Sequence, residues 1–129
     1  MLVSLHVQNF AIIDEVNVDF APGFTAITGE AGAGKSLIID AINLLVGGRS
    51  SSNIVRNGAV KAVIEGVFDS YNNAVQLLLD EYGIDADADL IIRRDIYANG
   101  KSTFRINGFI ASLSQVEMIG NNLIDIHQQ

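Results

Sequence analysis

Cysteine is absent from the sequence, and proline occurs only once in 129 residues. Without cysteine the chain can form neither a disulfide nor a thiolate metal site, which fits a reducing compartment. The sequence also contains no repeat, linker or low-complexity segment. No apolar run reaches the roughly 18 residues of a membrane span, and the N-terminus lacks the basic and apolar regions of a signal peptide. We therefore expect a cytoplasmic protein without membrane contact.

Basic residues are scarce as well. Lys and Arg number 8 against 15 Asp and Glu, which gives a formal charge of −7. Because surfaces that bind nucleic acid are usually basic, any contact with DNA would involve only a small part of this chain. The local exceptions are Arg93-Arg94 and the segment from Lys101 to Arg105. These residues are either solvated strand and hairpin charges or a DNA contact, and charge alone favours the first interpretation.

Apolar residues are abundant, since 49% of the sequence belongs to the hydrophobic types and can form a substantial core. A chain of this length suits one domain or part of a larger one. Its most informative stretch is a complete phosphate-binding loop, G-x-x-x-x-G-K-[ST]. The residues of this motif are Gly29, Glu30, Ala31, Gly32, Ala33, Gly34, Lys35 and Ser36.

The fixed positions of the motif each have a physical role. Gly29 and Gly34 permit backbone angles and a close approach that a Cβ atom would prevent. The N–H groups of such a loop point at phosphate oxygens, with a helix N-terminus behind them. Lys35 would place its ammonium on the β- and γ-phosphates, and Ser36 would offer its hydroxyl to Mg²⁺. The motif therefore predicts a site for a nucleotide and its metal.

The surroundings of the motif agree, because the motif requires a strand before it and a helix after it. Residues 24–28 are a short β-rich run that follows a Pro-Gly turn. Residues 35–46 contain neither glycine nor proline and end at a Gly-Gly pair, so they predict a helix. The body of this helix is apolar except for Asp40 and Asn43, which predicts burial under a sheet.

The other elements are predicted from alternation, helical spacing and turn residues. Asn99-Gly100 is the strongest short hairpin signal in the chain. Ser114, with Glu117 three residues later, matches a capping box. Strands are predicted at residues 2–9, 15–20, 59–68, 90–97, 102–106 and 123–126. Asp69 or Ser70 can cap a helix that runs to about residue 82, and Ser112 or Ser114 can cap a short helix that runs to residue 119.

Several residues needed for hydrolysis are missing. A P-loop hydrolase requires an acidic residue at a strand end for Mg²⁺ and a group that positions water. Asp125 is the best candidate for this acid, but only two apolar residues precede it. The two histidines are far apart in sequence and suggest no metal cluster, so a metal would arrive with the nucleotide. The chain therefore looks like the nucleotide-binding half of a composite site.

With these motifs the chain resembles the RecN family of bacterial DNA repair proteins, relatives of the SMC and ABC-type ATPases. The resemblance runs from end to end. It is carried by residues 2–14 (LVSLHVQNFAIID), 22–25 (PGFT), 44–49 (LLVGGR), 56–58 (RNG), 99–101 (NGK), 105–108 (RING) and 125–129 (DIHQQ). Two positions depart from the family's pattern. Ala31 replaces a usual threonine at a position that contributes mainly backbone, and Gln128 replaces a usual glycine. The second departure leaves open which glutamine is the Q-loop residue, and the register favours Gln129.

The resemblance implies a fold and partners. The fold is α/β: a P-loop NTPase of the ABC/SMC head type, with a mixed sheet around the phosphate-loop helix and an antiparallel β part. Residues 1–129 would be the N-terminal lobe, truncated before a coiled coil and a C-terminal lobe with the signature motif, the Mg²⁺-binding Asp and the catalytic Glu. Two such heads sandwich two ATP molecules. The full-length protein would act on DNA in double-strand break repair and recombination, in the cytoplasm and at the nucleoid.

The resemblance also implies residue roles. The residues from Gly29 to Leu37 would bind ATP. Lys35 and Gln129 would be catalytic, and Ser36 with Gln129 would face Mg²⁺. Arg49 and Arg56 lie where related heads have basic residues near nucleotide or DNA, although solvated loop arginines are the simpler interpretation. Residues 10–13 either flank the adenine or belong to the core.

Three alternatives are open at this point. An ABC transporter nucleotide-binding domain has the same fold, but the Asn-Phe-Ala-Ile-Ile-Asp stretch and the Asn-Gly-Lys hairpin favour the repair family. A small P-loop kinase or GTPase is disfavoured by the two strands that precede the phosphate-loop strand. A non-catalytic interaction module is disfavoured because Lys35 and Ser36 are intact.

Overall fold

The computed structural model describes residues 2–20, 33–50, 52–86 and 89–123, with backbone alone for residues 33–35 and 52. Within these ranges no helix is long and apolar enough to cross a membrane. A short 3₁₀ turn occupies Ser52–Ile54. The strands and helices in chain order are β1 (Leu2–Phe10), β2 (Ile13–Asp19), α1 (Ala33–Leu45), β3 (Lys61–Phe68), α2 (Asn73–Tyr82), β4 (Leu90–Tyr97), β5 (Ser102–Ile106), β6 (Phe109–Ala111) and α3 (Leu113–Leu123).

The described strands form one sheet in the order β2-β1-β3-β4-β5-β6, and every neighbouring pair in it is antiparallel. The predicted hairpin at Asn99-Gly100 is confirmed, because it joins β4 to β5. Gly100 has a φ of 94°, a left-handed value that glycine adopts without a Cβ penalty. The expected phosphate-loop strand at residues 24–28 lies outside the described residues.

One face of the sheet is apolar and packs against α1. The register aligns Leu5, Gly66 and Ile92 across three neighbouring strands on this face. α1 crosses β3 and β4, and its Leu45 is fully buried there. Each fully buried leucine or isoleucine contributes about 1.5–3 kcal/mol, so this layer is the main source of stability. The expectation that α1 is buried nearly all round was wrong for Ile39, which is 46% exposed.

The opposite face of the sheet is polar. Its most buried carboxylate is Asp95, which accepts hydrogen bonds of 2.8 Å from both Lys61 Nζ and Arg93 Nε. The Lys61 ammonium also lies 5.6 Å from the centre of the Tyr97 ring. Burial alone would raise the pKa of Asp95, but the hydrogen bonds from Arg93 and Lys61 outweigh it and hold that pKa below its ordinary value. Asp95 therefore stabilises the fold as a carboxylate.

Asp95→Asn is expected to lower the free energy of unfolding at pH 7 by about 1–2 kcal/mol, because it removes two charge-assisted hydrogen bonds. The folded pKa is depressed, so the Asp95 contribution is complete above the unfolded pKa and is lost as the pH falls through the folded pKa. Urea unfolding from pH 7 down to about pH 2 should therefore show a flatter pH dependence for the variant than for the parent chain. Asp14→Asn, at an exposed carboxylate, serves as the control. Parallel pH curves for Asp95→Asn and the parent would contradict the assignment.

The cap of α2 differs from the predicted residues, whereas the cap of α3, Ser112, is one of the two residues predicted for it. Asn72 caps α2, with its side-chain oxygen accepting from Val75 N at 3.0 Å, whereas Asp69 or Ser70 was expected. The capping box of α3 is formed by Ser112 and Gln115, whose backbone N–H groups each donate to the other's side chain. The Ser114–Glu117 box was therefore wrong, because the helix begins earlier, at Leu113.

Two further predictions were wrong near the end of the described chain. Gly120 does not end α3, which continues to Leu123, so the predicted strand at 123–126 is helical at its first residue. Residues 124–126 lie outside the described part. Gly120 instead allows close packing against the turn that follows α1, since a Cβ atom there would lie 2.8 Å from Val46 Cβ. Strand β6 was not predicted, because three residues are too few for alternation to be recognised.

Candidate functional site

The phosphate-binding motif ends in the first turn of α1. Ala33, Gly34, Lys35 and Ser36 are helical, which confirms the predicted helix after the motif and starts it two residues earlier than predicted. Ser36 is exposed and Leu37 is half-buried. The first-turn N–H groups of a helix have no acceptors within it, so this end of α1 can donate to an anion. Gly29, Glu30, Ala31 and Gly32 lie outside the described residues.

A cavity of about 390 Å³ runs along α1 from Leu37, the residue after the motif, to Leu44. One wall is the helix itself, from Leu37 to Leu44, and another is the turn between β1 and β2 at Phe10 and Ala11. Apolar side chains provide most of its surface, and a few polar groups reach it from α1 and from the segment after α1. Its lining residues are Phe10, Ala11, Leu37, Asp40, Asn43, Leu44, Gly48, Arg49, Asn53 and Ile54.

The segment that follows α1 forms a third wall of the cavity and docks on the β1–β2 turn. Ala11 N donates to Ile54 O at 2.6 Å, and Arg56 N donates to Asn9 O at 2.9 Å. The Arg56 side chain crosses the same turn, with Nη1 donating to Ile12 O at 2.8 Å. These bonds and the 3₁₀ turn at Ser52–Ile54 fix the described part of the segment against the β1–β2 turn.

The two arginines of this segment differ in their surroundings. Arg49 is exposed at the rim of the cavity. Arg56 is half-buried and donates a hydrogen bond from its guanidinium to the turn. Of the residues considered for the adenine, Phe10 is a core residue at 3% exposed, whereas Ile12 is 73% exposed. The turn therefore contributes backbone and one apolar side chain to the surface beside the cavity.

Arg94 lies at the other end of α1 and is 3% exposed. Its Nη1 donates to Leu44 O at 2.8 Å and to Gly48 O at 2.6 Å, and its Nη2 donates to Ser50 Oγ at 3.1 Å and Ser102 Oγ at 3.2 Å. Burial lowers the pKa of the Arg94 guanidinium from its ordinary value, yet an arginine stays charged in proteins. The interpretation of Arg94 as a surface charge was therefore wrong.

Arg94 could have been recognised as an inward residue from the alternation along β4. Leu90, Ile92 and Ile96 have the same parity as Arg94 and all face the core. Arg93, at the opposite parity, is on the polar face with Asp95. The position of a residue along the strand, and not its charge, decides which face of the sheet it occupies.

The metal and catalytic assignments are only partly covered by the described residues. Ser36, the predicted Mg²⁺ ligand in the motif, is on the exposed first turn of α1. Gln128 and Gln129 lie outside the described ranges. Elsewhere in those ranges, no three His, Cys, Asp or Glu side chains are grouped closely enough to hold a metal ion.

The family model "RecF/RecN/SMC N terminal domain" matches residues 1–127. The chain is 50% identical over 131 aligned residues to the DNA repair protein RecN of Bacillus subtilis (strain 168), covering 100% of this chain and 23% of that protein. RecN of Vibrio cholerae serotype O1 is 38% identical over 130 residues, with coverage of 100% and 24%. The chain thus spans about a quarter of the length of the curated relatives that it matches.

A solved structure shows the same fold. It comes from work on ATP-driven dimerization and DNA-stimulated activation of SMC ATPases, and it matches with a TM-score of 0.78 and 27% identity over 94% of this chain and 78% of that one. The described sheet and α1 therefore have the architecture of a P-loop head domain of the SMC type.

Proposed function

The chain belongs to the RecF/RecN/SMC N-terminal domain family, within the group of DNA repair proteins RecN, and from this premise we propose that it is the ATP-binding N-terminal half of an SMC-like ATPase in DNA double-strand break repair and recombination. The observation that carries the proposal is the complete motif at Gly29 to Ser36, whose last four residues form the N-terminal turn of α1. A nucleoside triphosphate needs both parts, because the loop surrounds the phosphates and the helix end faces them.

The residues of the site have distinct tasks in this proposal. The backbone of the residues from Gly29 to Gly34 binds the phosphates, and Lys35 neutralises the β- and γ-phosphates. The exposed Ser36 hydroxyl is a fitting hard-oxygen ligand for Mg²⁺, which neutralises phosphate charge when bound with ATP. Leu37 contacts the nucleotide from the next helical position. Gln129, or Gln128 in the other register, faces the metal and the γ-phosphate.

The base of the nucleotide has a candidate surface at the β1–β2 turn. Ile12 is exposed there, and its carbonyl is held by Arg56 at 2.8 Å. The cavity beside Leu37 opens between this turn and α1. An apolar wall with a few polar groups is typical of sites for an aromatic base. We expect Arg49 and Arg56, at this edge, to contact nucleotide or DNA.

The partners follow from the size of the chain and from its relatives. The chain spans 23% of the Bacillus subtilis protein, so we expect it to join the C-terminal half of its own head. ATP would then draw two heads into a sandwich dimer, and hydrolysis would release them, with the γ-phosphate providing the contact that differs between the two states. The full-length protein would act on DNA in the cytoplasm, associated with the nucleoid. The transporter alternative is not favoured, because the family model and the curated relatives are of the RecF/RecN/SMC kind.

Lys35→Ala in the full-length protein is expected to weaken ATP binding at least about 30-fold, because it removes a charge-assisted contact worth about 2 kcal/mol or more. Titration with a fluorescent ATP analogue in the presence of Mg²⁺ measures the dissociation constant directly. Lys101→Ala is the matched control, since Lys101 is an exposed lysine on the β4–β5 hairpin. Equal ATP affinities for Lys35→Ala and Lys101→Ala would reject the assignment of the motif.

A further inference from the structure

The environment of Arg94 is unusual for a buried cation. Within the described residues no carboxylate pairs with it; Asp95, the next residue, is bound to Lys61 and Arg93 on the other face. Its partners are two backbone carbonyls and two serine hydroxyls, and its guanidinium lies 4.5 Å from the centre of the Phe104 ring. Burying a charge without a counter-charge is costly, and an apolar residue would fill the same space more cheaply. The directed hydrogen bonds of the Arg94 guanidinium therefore matter more here than the volume that its side chain fills.

The carbonyls that Arg94 binds belong to the C-terminal end of the nucleotide helix. Leu44 is in the last turn of α1, and Gly48 follows the helix. A helix end carries a partial negative charge, which a guanidinium stabilises. The opposite end carries the partial positive charge that a phosphate group prefers. Arg94 and the proposed phosphate site are thus electrostatic complements at the two ends of one helix.

Because α1 is long, a small rotation of the helix about its C-terminal end produces a large displacement of its N-terminal end. α1 has 13 residues and is therefore about 20 Å long. A tilt of about 10° around its C-terminal end would move the first turn by roughly 3 Å. A misplacement of about 1 Å is enough to reduce the rate of a positioned reaction by about 100-fold. The position of Lys35 and Ser36 therefore depends on what holds the far end of the helix.

Arg94 also holds the start of the segment after α1, which lines the cavity. Gly48 and Ser50, both bound by the guanidinium, begin the segment that docks on the β1–β2 turn through Ile54 and Arg56. On its other side, Ser102 attaches the guanidinium to β5. One side chain thus connects the sheet with α1 and with the cavity wall.

We propose that Arg94 is a positioning residue for the nucleotide site, which acts by holding the C-terminal end of α1 and the start of segment 48–56 against the sheet. The inference rests on the proposed ATP-binding function. The alternative is a purely structural role, in which Arg94 adds stability to the fold and has no effect on the affinity for ATP.

Two variants and a neighbouring control separate these roles in the full-length protein. Arg94→Met removes the guanidinium and keeps a side chain of similar length. Arg94→Lys keeps the charge, but an ammonium group cannot reach four acceptors in fixed directions. Arg93→Met is the matched control, because it breaks the Asp95 network on the opposite face and leaves α1 untouched. ATP affinity is measured without DNA, at a temperature at which the thermal melting curves show every variant folded. Hydrogen exchange of residues 33–50 is measured without nucleotide.

We expect Arg94→Met to weaken ATP binding about tenfold or more and Arg94→Lys to weaken it less, while Arg93→Met stays within about twofold of the parent. Hydrogen exchange at both ends of α1 should be faster than in the parent protein for Arg94→Met and not for Arg93→Met. Parent-like affinity in Arg94→Met, or an equal loss in Arg93→Met, would overturn the inference while the proposed function stands. Failure of the parent protein to bind ATP would overturn both.

A further variant keeps the inference testable if Arg94→Met does not fold. Ser50→Ala with Ser102→Ala removes two acceptors and leaves the arginine and both carbonyl contacts in place. ATP binding should then weaken by about threefold, in the same direction. Unchanged affinity together with unchanged hydrogen exchange in this double variant would overturn the proposal.

Discussion

Gly66→Val is expected to destabilise the chain by about 3 kcal/mol or more, because the valine has no space between β3 and α1. Gly66 is in the middle of β3 on the face that packs against the helix. A Cβ atom at this position would lie 2.5 Å from Leu45 Cδ2 and 3.2 Å from Leu2 Cδ1. Leu45 is fully buried and cannot turn toward solvent, so the helix or the strand would have to move.

Urea unfolding followed by circular dichroism measures this loss, and a double-mutant cycle identifies its cause. Leu45→Ala alone should cost about 2–5 kcal/mol, because it leaves a cavity. In the double variant the valine occupies part of that cavity. The free energy of unfolding that the double variant loses should therefore be smaller than the sum of the losses in the two single variants. Val67→Ile, which adds one carbon on the opposite face of the same strand, should change stability by less than about 0.5 kcal/mol. Strict additivity of Gly66→Val and Leu45→Ala would contradict the close packing of α1 on β3.

The elements with strong local signals were predictable from the sequence. The helix after the motif was located because Gly47 and Gly48 follow a run without helix breakers, and the β4–β5 hairpin because Asn99-Gly100 suits a tight turn. These signals act over a few residues, so a linear sequence contains them in full. The affiliation with the RecN family was predictable for the same reason, since its motifs are short and contiguous.

The errors occurred where tertiary packing outweighs local preference. Gly120 looks like a helix stop, but α3 continues through it to Leu123. The glycine is needed at this position because Val46 occupies the space that a side chain would take. Arg94 looks like a surface charge, but the end of α1 supplies acceptors that a sequence does not reveal. In both cases the deciding partner is more than 45 residues away in the chain. For the motif residues before Ala33 and for Gln129, the predictions stay predictions.

The isolated chain is expected to bind ATP weakly and to hydrolyse it at least about 10³-fold more slowly than the complete head. Hydrolysis needs an acid for Mg²⁺ and a group that positions water. Asp40 lies within α1 and not at a strand end, and Asp69, which follows β3, is exposed. Asp125 lies outside the described residues. The resemblance to the RecN family assigns both groups, and the signature motif, to the C-terminal lobe.

Adding the C-terminal half, expressed as a separate chain, should restore Mg²⁺-dependent hydrolysis because it completes the site from both sides. Release of inorganic phosphate is compared for each half alone, for the pair, and for the pair carrying Lys35→Ala. Activity should appear in the unmodified pair and fall to the background in the Lys35→Ala pair. An inactive pair with intact Lys35 would weaken the assignment as a repair ATPase. Rapid turnover by the isolated chain, abolished by Lys35→Ala, would instead show that the residues from Gly29 to Ser36 belong to a complete catalytic site, and the composite-site argument would be wrong.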